Sequence, residues 1–195
     1  MVFYRLSSSV VVLADFQQQA LLQHNYFRQL HCTAAMALNS TINTIAQNYA
    51  NYLATNNLFV HSGVSGLGEN LWSMSSSVAI TFINGSSPTN SWYNEISLYN
   101  YGSPGFSSST GHFTQVIWKE SIQLGIGIAF TSDNKIAKVV ANYYPAGNKG
   151  GAFPSNVLPL CSTSSSNNSA MIGIQSNNCL LGTISVVSLL FNLLS

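Results

Sequence analysis

Nine side chains hold all the carboxylate and imidazole chemistry open to this sequence: Asp15, Glu69, Glu95, Glu120, Asp133, His24, His31, His61 and His112. Imidazoles and carboxylates together can hold a divalent metal or move a proton. Glu95 follows Trp92 by three residues and precedes Tyr99 by four, so a helix there places a carboxylate within the apolar stripe. Such a group is partnered, reaches into a cleft, or snorkels to water at the stripe's edge. Glu69 stands in Gly66-Leu67-Gly68-Glu69-Asn70-Leu71, where the two glycines just before it read as a tight turn presenting an exposed side chain or capping the next helix. His61 follows Phe59-Val60 and reads equally as a ligand or as a partly buried, satisfied histidine. His112 opens an expected strand, on one face with Thr114, Val116 and Trp118, or caps the loop before it.

Familiar catalytic arrangements are missing. The sequence has no H-E-x-x-H, no G-x-S-x-G and no glycine-rich phosphate loop opening a helix. His31 and Cys32 are chain neighbours, a poor geometry for a nucleophile and its base. Cys32, Cys161 and Cys179 form no C-x-x-C pair, which excludes a finger-type zinc site. A Cys32–Cys161 disulfide would pin the start of the domain to its end.

The elements that must position these residues come in two blocks. Asp15 reads as an N-cap before a helix carrying Phe16, Ala20, Leu21, Leu22, Tyr26 and Phe27. After Asn39-Ser40, Ile42, Ile45, Ala46, Tyr49 and Leu53 give a second amphipathic helix. A third is expected after Gly85-Ser-Ser-Pro88, carrying Trp92, Ile96 and Tyr99. Then the period changes. Phe113–Trp118, Leu124–Phe130 and Ile136–Tyr144 are rich in β-branched and aromatic residues, with Ser132-Asp133-Asn134 as a hairpin turn. Helices first and an antiparallel sheet second predict an α+β fold with helices packed on the sheet.

Composition narrows the partners. Of 195 residues 46% are hydrophobic, enough for one domain with a real core. Only 6% are charged, against about 25% in ordinary globular proteins, and the net charge is +1. That balance offers no field to attract phosphates, so nucleic acid is not expected as a partner. Residues 1–14 read as a short or truncated signal peptide or as an ordinary N-terminus. Residues 161–170 are a Ser/Asn-rich stalk, and 171–195 include an uncharged apolar run, CLLGTISVVSLLFNLLS. With the small residues Asn168-Ser169-Ala170 ahead of it, this order reads as a GPI-attachment signal with Asn168 as the attachment residue. A retained membrane tail and a buried C-terminal helix are the other readings. Sequons at Asn39 and Asn84 are glycosylation candidates, and a third begins at Asn167.

The motifs, taken together, resemble a known family. GHFTQVIW (111–118) and ANYYPAGN (141–148) are similar to the two signature segments of the CAP superfamily, which includes cysteine-rich secretory proteins, antigen 5 and group 1 pathogenesis-related proteins. His24-Asn-Tyr-Phe-Arg28, His61-Ser62, Gly68-Glu69-Asn70-Leu71-Trp72 and Trp92-Tyr-Asn-Glu95-Ile96 follow in the family's order across 15–160. The stretch from Trp92 to Lys119 resembles the Golgi-associated plant pathogenesis-related subgroup most. The resemblance implies a three-layer α–β–α sandwich with a central antiparallel sheet. It implies a cleft where His61, His112, Glu69 and Glu95 meet, with the histidines binding zinc or another divalent metal. It implies a non-catalytic secreted or cell-surface protein that binds a lipid or sterol. A metal-dependent hydrolase using the same cleft and a structural or adhesive surface protein are the alternatives. Ala141 stands where the family's second signature usually has Cys, and most of the family's disulfides are missing.

Overall fold

The computed structural model describes residues 13–162. Most of the leader, the stalk beyond Ser162, Asn168, the third sequon, Cys179 and the apolar tail lie outside the described residues.

Helix α1 (Leu13–Leu30) buries Phe16, Ala20, His24, Phe27 and Arg28, a single face at helical spacing. Asp15 lies within this helix rather than capping it. Strand β1 (Ala37–Leu38) is two residues long, and α2 (Ser40–Thr55) follows as the sequence pattern predicts. The Asn39 side chain caps α2 by accepting from the Thr41 and Ile42 N–H groups. Strand β2 (Gly68–Ser75) then occupies the segment read as a turn around Glu69. Helix α3 (Ser86–Tyr93) is shorter than expected and tightens into a 3₁₀ turn, Asn94–Leu98, so Glu95 sits on that turn and Tyr99 beyond it is extended.

The largest correction concerns the expected strand Phe113–Trp118. It is helix α4 (Gly111–Ile117), and His112 therefore lies in a helical first turn, not on a strand face. Phe113, Thr114, Gln115, Val116 and Ile117 are all buried, a continuous run that period 2 does not describe. Tertiary contacts hold both helix ends. Glu95 Oε2 accepts from the His112 and Phe113 N–H groups at 3.0 and 3.1 Å. At the other end the buried Arg28 guanidinium donates to the carbonyls of Val116 (3.2 Å), Trp118 (2.8 Å) and Ser121 (2.8 Å). A carboxylate at the N-terminus and a cation at the C-terminus both suit the helix dipole. These contacts outweigh the β-preference of Thr114, Val116 and Ile117.

Strands β3 (Gln123–Phe130) and β4 (Ile136–Tyr144) form the expected hairpin. The sheet order is β1-β3-β4-β2, antiparallel except that β1 runs parallel to β3. On one face Leu124, Ile126, Val139, Ala141 and Tyr143 join Phe16, Trp92, Phe113 and Trp118 in the main core. On the other, Ala129, Val140 and Leu71 meet Ala46, Ala50 and Leu53 of α2. Close approach of α2 needs the glycines of β3: a Cβ on Gly125 would lie 2.2 Å from the Ile42 carbonyl carbon, and one on Gly127 2.4 Å from the Gln47 Cα. The result is the α–β–α sandwich that the motifs imply, closed by α5 (Phe153–Asn156). The Cys32–Cys161 disulfide is formed, with a Cα separation of 5.8 Å, and ties the end of α1 to the end of the domain.

Candidate functional site

Glu69 and Asn70 are consecutive on β2, so their side chains leave opposite faces of the sheet. The site is built around that divergence. On the α2 side, Glu69 Oε1 accepts from His61 Nδ1 at 2.9 Å and from the Ser62 N–H at 2.8 Å. Its Oε2 accepts from the Ser62 hydroxyl and from Asn142 Nδ2. On the other side, Asn70 Nδ2 donates to the His112 carbonyl at 3.1 Å and to the Tyr143 hydroxyl at 3.2 Å. Glu95 Oε1 accepts from His112 Nδ1 at 2.6 Å.

Each imidazole is thus held by a carboxylate at Nδ1. A carboxylate accepts, so the Nδ1 atoms carry the protons, and in the neutral rings the lone pair is left on Nε2. The two pairs differ in exposure. The His61 side chain is 62% exposed against 8% for Glu69, whereas His112 and Glu95 are 33% and 21% exposed. A cavity of about 180 Å³ is lined by His61, Glu69, Asn70, Gly111, His112 and Asn148, together with Phe106 and Ser108. Glu95 joins the site through His112 rather than by lining the cavity. All four residues expected in the cleft are therefore brought into one connected arrangement.

The remaining acids and histidines are elsewhere. Asp133 turns the β3–β4 hairpin by accepting from Thr131 Oγ1 and the Lys135 N–H. Asp15 and Glu120 are on the surface. His31 is buried against the Leu158 carbonyl and the Tyr93 hydroxyl. His24 is buried, with Nδ1 at 2.8 Å from the Ala20 carbonyl and Nε2 at 2.9 Å from the Tyr143 hydroxyl. Burial lowers its pKa to about 4, and the same burial pushes the Tyr143 hydroxyl well above the usual tyrosine range. The chain Asn70–Tyr143–His24 anchors the cleft floor in the core. Of the sequon residues, Asn39 is committed to its cap and to Gln123, and Asn84 is exposed.

Several supporting residues carried no assignment from the sequence. Ser62, Asn70, Asn142, Tyr143 and Asn148 were legible only as letters of the motifs. Asn148 fixes the loop after β4, accepting from Thr114 Oγ1 at 2.6 Å and donating to the Gly111 carbonyl at 2.9 Å. Gln115 accepts from the Gly147 N–H at 2.9 Å, and its amide fills the space where a Gly68 or Gly147 side chain would stand. Among the described residues, no group of three or more His, Cys, Asp or Glu side chains is arranged to hold a metal ion. The donor set fits an open two-imidazole site, and not a closed structural one.

Residues 21–144 match the model of the cysteine-rich secretory protein family, CAP. The chain is 39% identical over 151 residues to human Golgi-associated plant pathogenesis-related protein 1, covering 74% of this chain and 94% of that protein. It is 34% identical over 145 residues to secreted protein RBT4 of Candida albicans, covering 72% of this chain but only 37% of that protein. A crystal structure of NaASP2 with Zn2+ superposes with a TM-score of 0.61 at 22% identity, over 80% of this chain and 91% of that one, a likeness of fold.

Proposed function

The chain belongs to the cysteine-rich secretory protein (CAP) family, and on that footing we propose that it is a non-catalytic, extracellular binding module. One observation carries the non-catalytic reading: fixed donors fill all four acceptor sites of Glu69 and three of the about four of Glu95. Glu69 accepts from His61, Ser62 (twice) and Asn142, and Glu95 from His112 (twice) and Phe113. A general base must be within reach of the proton it removes, with a lone pair to receive it. Here nearly all of that capacity is spent on holding two imidazoles and a helix end.

What the cleft offers outward is a pair of Nε2 lone pairs. His61 and His112 would hold a zinc or other divalent ion, with water completing the shell, and Glu69 and Glu95 would fix the rings as second-layer partners do at metal sites. The ion would supply Lewis acidity and an attachment point for a ligand atom. The fold neighbour whose crystal form contains Zn2+ is consistent with that use.

The lipid or sterol side of the reading rests on the exposed face of α1. Leu22, Tyr26 and Leu30, each four residues apart, stand 61%, 54% and 37% exposed. Beside them lies a cavity of about 630 Å³ running from Leu22 to Ala35, without a charged side chain in its lining. This volume is within the usual range for small-molecule sites. The disulfide suits an oxidising compartment, and a relative named as a secreted protein agrees with it. Attachment to a membrane through a GPI anchor at Asn168 is the corresponding proposal for the C-terminal segment.

Purified protein incubated with radiolabelled cholesterol, oleate and phosphatidylcholine tests the binding reading. Saturable binding of one of them, reduced by Tyr26→Asp, is the expected result. No binding to any of the three would overturn it, and zinc-stimulated cleavage of a broad peptide library would favour the hydrolase instead.

A further inference from the structure

The two edges of the sheet are treated differently. Beyond the short β1, the outer edge of β3 is closed by side-chain amides. Asn43 Oδ1 accepts from the Ile126 N–H at 2.9 Å and Gln17 Nε2 donates to the Ile126 carbonyl at 2.9 Å. Gln47 does both for Ile128, at 3.1 and 2.8 Å. Three amides thus stand in for a neighbouring strand and satisfy that edge.

The edge of β2 has no such cover at its far end. Trp92 Nε1 donates to the Leu71 carbonyl at 3.0 Å, which shows that the main chain of Leu71 faces outward, away from β4. By strand alternation the main chains of Ser73 and Ser75 face outward too. Among the described residues neither makes a main-chain hydrogen bond on that side, and Ser73, Met74 and Ser75 are all exposed.

A second observation gives this edge a charge preference. Lys138 is the register partner of Ser73, so both side chains lie on the same sheet face. Lys138 is only 5% exposed as a residue; its amine stands over the ring of the exposed Phe59 at 5.4 Å, and among the described residues no carboxylate pairs with it. The two His–Glu pairs are the only ion-pair contacts among the described residues. Partial burial holds the Lys138 amine below the ordinary lysine range.

We propose that the β2 edge at Ser73–Ser75 is a docking edge for an extended, acidic peptide segment of a partner protein, which adds as a fifth strand and places a carboxylate toward Lys138. The distances allow it. A strand added beyond β2 lies two strand spacings from β4, about 9.6 Å. That span is within the joint reach of a lysine and a glutamate side chain. The main chains of Ser73 and Ser75 supply the hydrogen bonds of β-augmentation, and the cation selects the sequence. This inference is independent of what the cleft or the α1 groove binds.

The test uses the full chain, immobilised, against a random heptapeptide library displayed on phage. The expected result is enrichment of β-prone peptides with an acidic residue at a fixed position. Synthetic versions should slow hydrogen exchange of the Ser73 and Ser75 amides at least tenfold, while the Ile126 and Ile128 amides are unchanged. Lys138→Met should weaken binding at least tenfold, and Lys138→Arg should retain most of it. The proposal is overturned if no peptide is enriched over a blank surface. It is equally overturned if the enriched peptides leave Ser73 and Ser75 exchanging as before, or bind Lys138→Met unchanged.

Discussion

Glu95 holds His112 twice, by its ring at Nδ1 and by its main-chain N–H, and takes the next N–H of the helix as well. One carboxylate therefore sets both the direction of the imidazole and the start of the helix that carries it. Structure and site cannot be separated at this residue. Replacing Glu95 by Gln should cost about 1–3 kcal/mol in urea unfolding, because a neutral amide accepts less well from three donors. Zinc affinity should fall roughly tenfold to a hundredfold by calorimetry. Unchanged stability and unchanged affinity together would remove this residue from both roles.

Arg28 closes the other end of α4. Its guanidinium is buried among carbonyls alone, and burial lowers its pKa only to about 10, so it stays charged at neutral pH. Arg28→Met removes the guanidinium donors to the Val116 and Ser121 carbonyls and leaves Trp118 with only the Ser121 N–H. We expect a loss of about 3–5 kcal/mol by chemical denaturation, as for other broken buried charge networks. A loss below about 1 kcal/mol would show that water or a neighbour takes over the donors' work.

Acid should destabilise the fold through His24. Its folded-state pKa of about 4 lies below the ordinary 6.5. Between those values the unfolded chain takes up a proton and the native state does not, so stability is complete above pH 6.5 and declines as pH falls toward 4. The size is on the order of 3 kcal/mol. The His31 pKa is also lowered, by burial, and acts in the same direction. Urea unfolding between pH 7 and pH 4 should show the decline, and His24→Gln should flatten part of it. A wild-type profile flat across this range would contradict the buried, neutral assignment.

How much of this was legible in the sequence depends on what each segment packs against. Helix α2 was readable because its outer face is solvated, so its stripe is a true amphipathic pattern. The β3–β4 hairpin was readable from its β-branched runs and its turn. Helix α4 was not, because Phe113–Ile117 is buried on every side and a short continuous apolar run does not reveal its period. Glu69 was misread as a turn residue because Gly66 and Gly68 look like turn chemistry. Gly66 does take a positive φ of 83°, but Gly68 is small so that Gln115 can lie against it. The cleft residues themselves came from motif order, since His61 and His112 are fifty-one residues apart and no spacing rule joins them.

The glycines of β3 give a packing prediction. Gly127→Ala puts a Cβ 2.4 Å from the Gln47 Cα, a main-chain atom that cannot rotate away. The helix must move, and with it the Gln47 bonds that close the β3 edge. A loss of about 1–3 kcal/mol is expected, together with faster exchange of the Ile128 amide. Exchange at Ile128 that stays slow in the variant would show that α2 does not hold that edge.

The most direct test of the binding-cleft account is a long-range ¹H–¹⁵N correlation spectrum of the histidine rings at pH 7.5, before and after zinc. The predicted result is that His61 and His112 both carry the proton on Nδ1 in the free protein, and that zinc shifts their Nε2 resonances while those of His24 and His31 stay in place. Nε2-protonated rings in the free protein, or no zinc-induced change at either cleft histidine, would contradict it.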